Sequence, residues 1–375
     1  MGAWDVYPAN YRHLEVQAIL SAVQGGECVS VVGLSGSGKS NLLGFIARRL
    51  GLGNEPGSPY PFFVLVDLNL LVESHLPAFF QLIRQSIASA VNHSGHKLPG
   101  QFQPADQQLA LETDISNLLS QVPGLCLLFD RFDIFVKQES PTLFSNLRAL
   151  RDKHKYGLTF VTAARNPLPA DNELVELFYA NILWLGPLNE SDSRWTVEQY
   201  MLRKSLRWNQ ATIQQLVTVS GKYPSLLRAV CEAHASGTAL EENQLSSHPL
   251  VQRRLTEILA DHPTELDLEH SGLAGNPLLA QMPAFHSSAK PFDTTGMTAK
   301  EYLLLEYFRS HPNIVCDKDT LIQAVWPEDK IFTQGVRDDS LAQLVRRLRL
   351  KIEPDASNPS YIQTIPGRGY LFKPG

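Results

Sequence analysis

Four cysteines in 375 residues are too few to staple the fold. Cys28, Cys126, Cys231 and Cys316 stand alone, mostly in apolar runs, without the paired spacing of a zinc site or a disulfide framework. Buried free thiols in a reducing compartment are therefore expected. Long apolar runs are lacking too. The longest, Phe62 to Val72, is interrupted by Asp67 and Asn69 and is too short to span a bilayer. The N-terminal residues carry Asp5 and lack a basic region followed by an apolar core, so no secretory signal is read there. The expectation is a cytoplasmic protein with no membrane partner. A strong excess of one charge is also absent. The formal net charge of −5 gives no chain-wide attraction to nucleic acid, so any DNA-binding surface must be local. The composition, 43% hydrophobic and 19% charged, is that of a globular chain long enough for two or three cores.

One stretch organises the first half. Residues Gly33-Leu34-Ser35-Gly36-Ser37-Gly38-Lys39-Ser40 satisfy G-x-x-x-x-G-K-[ST] at every fixed position. An apolar, β-rich run, Cys28 to Val32, precedes it, and Asn41 to Leu50 follows with helical apolar spacing. This strand, loop and helix context is what a phosphate-binding loop needs. Gly33, Gly36 and Gly38 let backbone wrap round an anion, and the helix start turns free N–H groups and its dipole toward phosphate. Ser35, Ser37 and Asn41 complete the predicted nucleotide-contacting set. Lys39 is expected to reach the β- and γ-phosphates and Ser40 to hold Mg²⁺.

Further strands are predicted at Pro61 to Asp67, Leu125 to Asp130, Gly157 to Arg165 and Asn181 to Pro187, alternating with helices over about 76–91, 107–121 and 143–152. Leu125-Cys126-Leu127-Leu128-Phe129-Asp130 is an apolar run ending in a carboxylate, as in a central strand of a parallel sheet buried on both faces. Asp130 would emerge beside the phosphate loop and join Ser40 in holding the water shell of Mg²⁺. The next residue is Arg131, which cannot act as a base. Asp133 is the nearby acid, so either it orients the attacking water or hydrolysis is slow. Arg165, at another strand end, is predicted to touch the γ-phosphate. Arg12 lies just before an amphipathic helix carrying Leu14, Ala18, Ile19 and Val23 on one face, where it could lie over a bound adenine.

Taken together these features resemble the P-loop ATPases of the STAND and Orc/Cdc6-like AAA+ group, from about Tyr11 to Ala235. The resemblance implies an α/β P-loop NTPase fold, a parallel sheet between helices, over residues 1–187, with an α-helical lid over 188–261. Ser191 to Leu202 and Ala211 to Ser220 look like lid helices, and Ser220-Gly221-Lys222-Tyr223-Pro224-Ser225 resembles the G-x-P signature. It further implies that Pro224 packs on adenine, that ATP or ADP with Mg²⁺ is the cofactor, and that the chain self-associates; with Arg131 after Asp130, a slow ATPase is expected.

From His262 to about 292 the chain loses periodicity and carries several prolines and glycines, the composition of a linker. Beyond it Thr298 and Glu301 form a capping box, with helices predicted from there through Phe308, from Asp317 or Lys318 to Trp326, and from Asp338 to Ile352. Tyr361 to Phe372 reads as two strands joined at Arg368. Thr298-x-x-Glu301, Leu304-Leu305, Leu321 with Val325-Trp326, Arg347-Leu348-Arg349-x-Lys351-Ile352 and Gly367-x-Gly369-Tyr370 look like the winged helix-turn-helix of OmpR/PhoB-type response regulators. That resemblance implies an α+β winged-helix domain over 293–375 binding double-stranded DNA. The helix bearing Gln343, Arg346, Arg347 and Arg349 would enter a major groove, and the wing would carry Arg368 to a minor groove or phosphate.

The leading expectation is an ATP-switched DNA-binding regulator, of transcription by this likeness. Two rivals stand beside it: a DNA-stimulated ATPase loader, initiator or transposition helper, and a signalling or defence scaffold whose winged helix binds a protein partner.

Overall fold

The computed structural model describes residues 6–48, 58–71, 75–94, 96–98, 106–133, 136, 141–169, 172–261, 263–282, 297–311, 314–326, 338–353, 355–356 and 358–373. The chain divides into two compact units, Met1–Leu279 and Ala280–Gly375.

The first unit opens with α1 (His13–Gln24), β1 (Val29–Val32), α2 (Lys39–Arg48), β2 (Phe62–Asp67), α3 (Leu76–Asn92), α4 (Gln107–Leu119) and β3 (Leu125–Asp130). It continues through α5 (Pro141–Lys153), β4 (Leu158–Ala164), α6 (Val175–Phe178) and β5 (Ile182–Trp184). All strand pairings are parallel, in the order β2-β3-β4-β1-β5. Strands β1, β3 and β4 are buried at every residue, which is why they read as unbroken apolar runs rather than alternating ones. Alternate residues Val64 and Val66, Leu125, Leu127 and Phe129, and Phe160 join one core with Phe79 and Ile83 of α3, Ile115 of α4 and Leu147 of α5. Helices α1 and α2 pack on strands of the same sheet through residues outside that core. The result is a parallel sheet between helices, as expected.

Five helices follow: α7 (Glu190–Lys204), α8 (Gln210–Val219), α9 (Pro224–Ala235), α10 (Glu242–Ser247) and α11 (Pro249–Leu259). The starts of α7 and α8 are fixed by Asn189 and Asn209, whose side chains accept from Asp192 and Thr212 N–H groups. Helix α9, with Leu226, Leu227, Val230 and Cys231 buried, packs against α7, α8 and α11.

The linker expectation over 262–292 is corrected. Thr264 and Asp267 form a capping box that starts α12 (Glu265–His270), and Leu273, Leu278 and Leu279 are fully buried. Asn276 donates to the Ser220 carbonyl at 3.0 Å. The burial of these leucines outweighs the prolines and glycines between them, so residues 263–279 fold with the first unit. The rest of the predicted linker, from 283 on, lies outside the described residues.

The second unit contains α13 (Ala299–Ser310), β6 (Val315–Cys316), α14 (Lys318–Val325), α15 (Asp338–Ile352), β7 (Ile362–Ile365) and β8 (Gly369–Phe372). The Thr298–Glu301 capping box is present. The short β6 was not predicted. It pairs antiparallel with β8, which also pairs with β7. This close pairing requires glycine at 369, where φ is +128° and a Cβ would lie 2.1 Å from the Cys316 carbonyl oxygen. Leu304, Phe308, Leu321, Leu341, Leu348 and Phe372 form the core beneath the sheet.

Candidate functional site

The sheet order sets β4 between β1 and β3, so the ends of β1, β4 and β3 deliver the phosphate loop, Arg165 and Asp130 to one edge. In the loop, Gly36 and Gly38 have φ of +84° and +94°, which non-glycine residues rarely adopt. Gly36 is doubly constrained, since a Cβ there would lie 2.1 Å from Ser225 Oγ.

Behind the loop, Gly33 N–H donates to the Ala164 carbonyl at 3.2 Å and Ser37 N–H to the Leu34 carbonyl at 3.2 Å. These residues shape the loop from its buried side. Ser35, Gly36, Gly38, Lys39, Ser40 and Asn41 line a cavity of about 360 Å³, together with Asp130, Asp133, Arg165 and Pro224. The nucleotide-loop residues, both acids and Arg165 are thus brought together.

The chemistry of the cavity is set by buried charge. Burial pushes the Lys39 ammonium down to about 8, while Asp133, Asp261 and Asp130 pull the other way. Lys39 Nζ donates to the Gly33 and Leu34 carbonyls, which hold it at the loop. Burial raises the Asp130 carboxyl above its usual range, and a hydrogen bond with the Ser40 side chain opposes that shift. Ser40 and Asp130 therefore offer two hard oxygen donors side by side. That set fits a Mg²⁺ ion that keeps waters and phosphate oxygens as its other ligands. No group of three or more His, Cys, Asp or Glu residues that could hold a metal occurs among the described residues. Arg131 sits at φ +59°, a left-handed conformation that costs a non-glycine residue about 1 kcal/mol. Its N–H donates to Asp130 Oδ1 at 3.0 Å, tying the turn to the carboxylate. Asp133 is ion-paired with Arg165 at 3.4 Å.

Arg12 is placed differently from the expectation. Its side chain is 1% exposed and has no face to lay over a base. Instead its guanidinium donates to the Ser37 carbonyl at 2.9 Å and the Gly186 carbonyl at 3.0 Å, and its backbone N–H to Asp192 at 2.9 Å. Arg12 is a strut beneath the loop. The aromatic surface lies nearby, in a second cavity of about 430 Å³ lined by Tyr7, Tyr11, Trp195 and Tyr200. The Tyr7 and Trp195 rings stand 4.7 Å apart. Asn41, Pro224 and Arg228 line both cavities.

The helical region also closes on the loop. Tyr223 OH donates to the Leu34 carbonyl at 3.2 Å and the Ser35 carbonyl at 3.0 Å, and Ser225 N–H to the Gly36 carbonyl at 3.2 Å. Sequence reasoning missed Arg228, Arg254 and Asp261 near the loop. Arg228 lies four residues beyond Pro224 in α9, so helical spacing would have pointed to it; nothing local marks the other two.

In the second unit, Gln343, Arg346 and Arg347 are exposed at i, i+3 and i+4 on α15 and share one face. Gln343 and Arg347 line a cavity with Lys300 and Trp326. Arg368 is exposed at the β7–β8 turn. Arg349 is a correction: it falls off that face, and its guanidinium donates to the Ile362 carbonyl at 2.6 Å and Thr364 Oγ1 at 2.9 Å. It fastens the helix to the wing rather than facing DNA. The side chains of Asp338 and Asp339 lie outside the described residues.

Residues 293–372 match the family model described as transcriptional regulatory protein, C terminal. Over 82 residues the chain is 38% identical to the transcriptional regulatory protein YvrH of Bacillus subtilis, covering 22% of this chain and 33% of that protein. Over 74 residues it is 39% identical to the alkaline phosphatase synthesis transcriptional regulatory protein SphR of Synechococcus elongatus, covering 20% of this chain and 27% of that protein. The chain thus spans about a third or less of these curated relatives. Among solved structures, the Walker-type ATPase PABY2304 of Pyrococcus abyssi aligns with a TM-score of 0.48 at 13% identity, over 98% of this chain and 96% of that one. The Orc1 protein of Aeropyrum pernix in complex with DNA aligns with a TM-score of 0.39 at 12% identity, over 99% and 91%. No helix among the described residues is long and apolar enough to cross a membrane.

Proposed function

We propose that this chain is a DNA-binding regulator, acting on transcription, whose DNA affinity is set by the nucleotide held at its phosphate loop. The observation that carries this reading is the assembly of Lys39, Ser40, Asp130 and Arg165 round one loop, in a chain that also bears a transcription-regulator C-terminal domain. ATP or ADP is the ligand, its phosphates at the loop and its base against the Tyr7, Trp195 and Pro224 surface. Mg²⁺ bound by Ser40 and Asp130 would neutralise phosphate charge. Lys39 holds the β- and γ-phosphates and Arg165 reads the terminal one.

The residues present favour holding nucleotide over rapid turnover. Arg131 follows Asp130 and cannot act as a base, and the Asp133 carboxylate is ion-paired with Arg165 at 3.4 Å. A switch requires only unequal DNA affinities in two nucleotide states, not fast hydrolysis. The outward Gln343, Arg346 and Arg347 suit base edges in a major groove, and Arg368 suits a phosphate or minor groove.

Mobility shift of genomic duplex fragments with the full chain tests the coupling. DNA affinity is expected to differ at least about fivefold between the ATP state and the ADP or nucleotide-free state, the lower end of common coupling energies. Equal affinity in all three would end the switch reading.

A pH dependence follows from Lys39. In the free protein its proton leaves near pH 8, and bound phosphate, being anionic, holds that proton to higher pH. Binding therefore takes up a proton above pH 8, and affinity falls as pH rises. Between pH 7 and pH 9 the ATP dissociation constant is expected to rise about tenfold, because uptake of one proton costs about one decade of affinity per pH unit above the free-state value. Calorimetry in buffers of different ionisation heat checks both the slope and the proton uptake.

A further inference from the structure

Asp261 lies in the turn that follows α11, far along the chain from the phosphate loop, yet its side chain is 1% exposed and belongs to the loop's surroundings. The N–H of Ser35 donates to Asp261 Oδ2 at 2.6 Å. The other carboxylate oxygen, Oδ1, accepts from Arg165 Nη1 at 3.0 Å. Arg165 in turn reaches Asp133 at 3.4 Å. One internal anion thus engages both a loop N–H and the arginine proposed to read the terminal phosphate. These are the two kinds of donor, an oriented backbone N–H and a guanidinium, with which a protein holds a phosphate oxygen.

Ser35, Lys39, Ser40, Asp130 and Arg165 line one cavity, so the Asp261 contacts lie where the phosphates are proposed to sit. Arg254, within α11, lines the same cavity. Helix α11 and the turn after it therefore bring an arginine to the cavity and a carboxylate to the loop. Arg165 already serves two carboxylates, Asp133 and Asp261, but the single Ser35 N–H cannot donate at once to a buried carboxylate and to a terminal phosphate, and the two anions would repel across it.

We propose that Asp261 is a resident stand-in for the terminal phosphate: a nucleoside diphosphate binds with it in place, whereas a triphosphate must displace it from Ser35 and Arg165. This rests on the nucleotide reading above and deepens it, making Asp261 the residue that discriminates between the two nucleotides. Displacement sends a buried anion away from its partners and shifts the turn after α11, so the triphosphate state differs from the diphosphate state by more than one phosphate. The opposite role is a positioning one, in which Asp261 orients Arg165 for the γ-phosphate. The two roles differ in sign.

Calorimetric titration of the full chain with MgATP and with MgADP decides between them, using wild type, Asp261→Asn and Asp261→Ala. The stand-in role expects ATP to bind at least about tenfold more tightly to both variants, equivalent to about 1.4 kcal/mol, with ADP changed by less than about threefold. It also expects wild type to bind ADP more tightly than ATP, a result that needs no variant. Weaker ATP binding in the variants, equal tightening for both nucleotides, or a wild-type preference for ATP would overturn it while leaving nucleotide binding intact. No heat with either nucleotide, in wild type and variants alike, would remove the nucleotide reading and this inference together.

Discussion

Replacing Lys39 by alanine is expected to cost at least about a hundredfold in ATP affinity, the largest single loss available at the loop. The ammonium sits where burial has already lowered its proton affinity, so its charge is incompletely compensated in the free protein. Phosphate supplies the missing anion in a site poorly screened by water. Two charge-assisted hydrogen bonds at about 1.5–3 kcal/mol each amount to two or more decades of affinity. The free protein should keep its fold, because among the described residues the Lys39 ammonium donates to the Gly33 and Leu34 carbonyls of its own loop. Calorimetry with thermal unfolding on the same samples checks both halves. Binding within threefold of wild type would show that the cavity is not a phosphate site.

The second large effect belongs to the C-terminal domain. Reversing Arg346 and Arg347 together to glutamate is expected to weaken duplex DNA binding at least about a hundredfold, since each such contact is worth about 1–3 kcal/mol and reversal adds repulsion. Both side chains are exposed, so the unfolding temperature should not move. The slope of log affinity against log salt should flatten by about one per lost phosphate contact. Arg349 provides the contrast: its guanidinium is committed to Ile362 and Thr364, so Arg349→Ala should loosen the wing and lower stability. DNA affinity unchanged by the double reversal, with the domain folded, would favour the reading in which this domain binds a protein.

Much of this was legible in the chain. The phosphate loop was readable because eight contiguous residues carry it and its flanking strand and helix are contiguous too. The strands ending in Asp130 and Arg165 were readable because burial on both faces leaves an unbroken apolar run. The Thr298–Glu301 capping box and the α15 boundaries were readable for the same local reason: both depend on residues within one or two turns. Arg12 and Arg349 were misplaced because arginine is usually exposed, and only the packed structure shows one guanidinium beneath the loop and the other on the wing. The predicted linker failed similarly, since Leu268, Leu273, Leu278 and Leu279 are spaced too irregularly to signal a buried face.

The sequence by itself determined the phosphate loop, the parallel α/β architecture and the winged helix, because each is specified by short-range spacing that survives without knowledge of neighbours. Tertiary structure alone decided which distant groups meet the loop: the strut from Arg12, the Tyr223 and Ser225 contacts, and the Asp261 carboxylate on Ser35. Those meetings depend on where helices cross and which side of a turn faces inward, and a residue 226 positions away leaves no local mark of its destination.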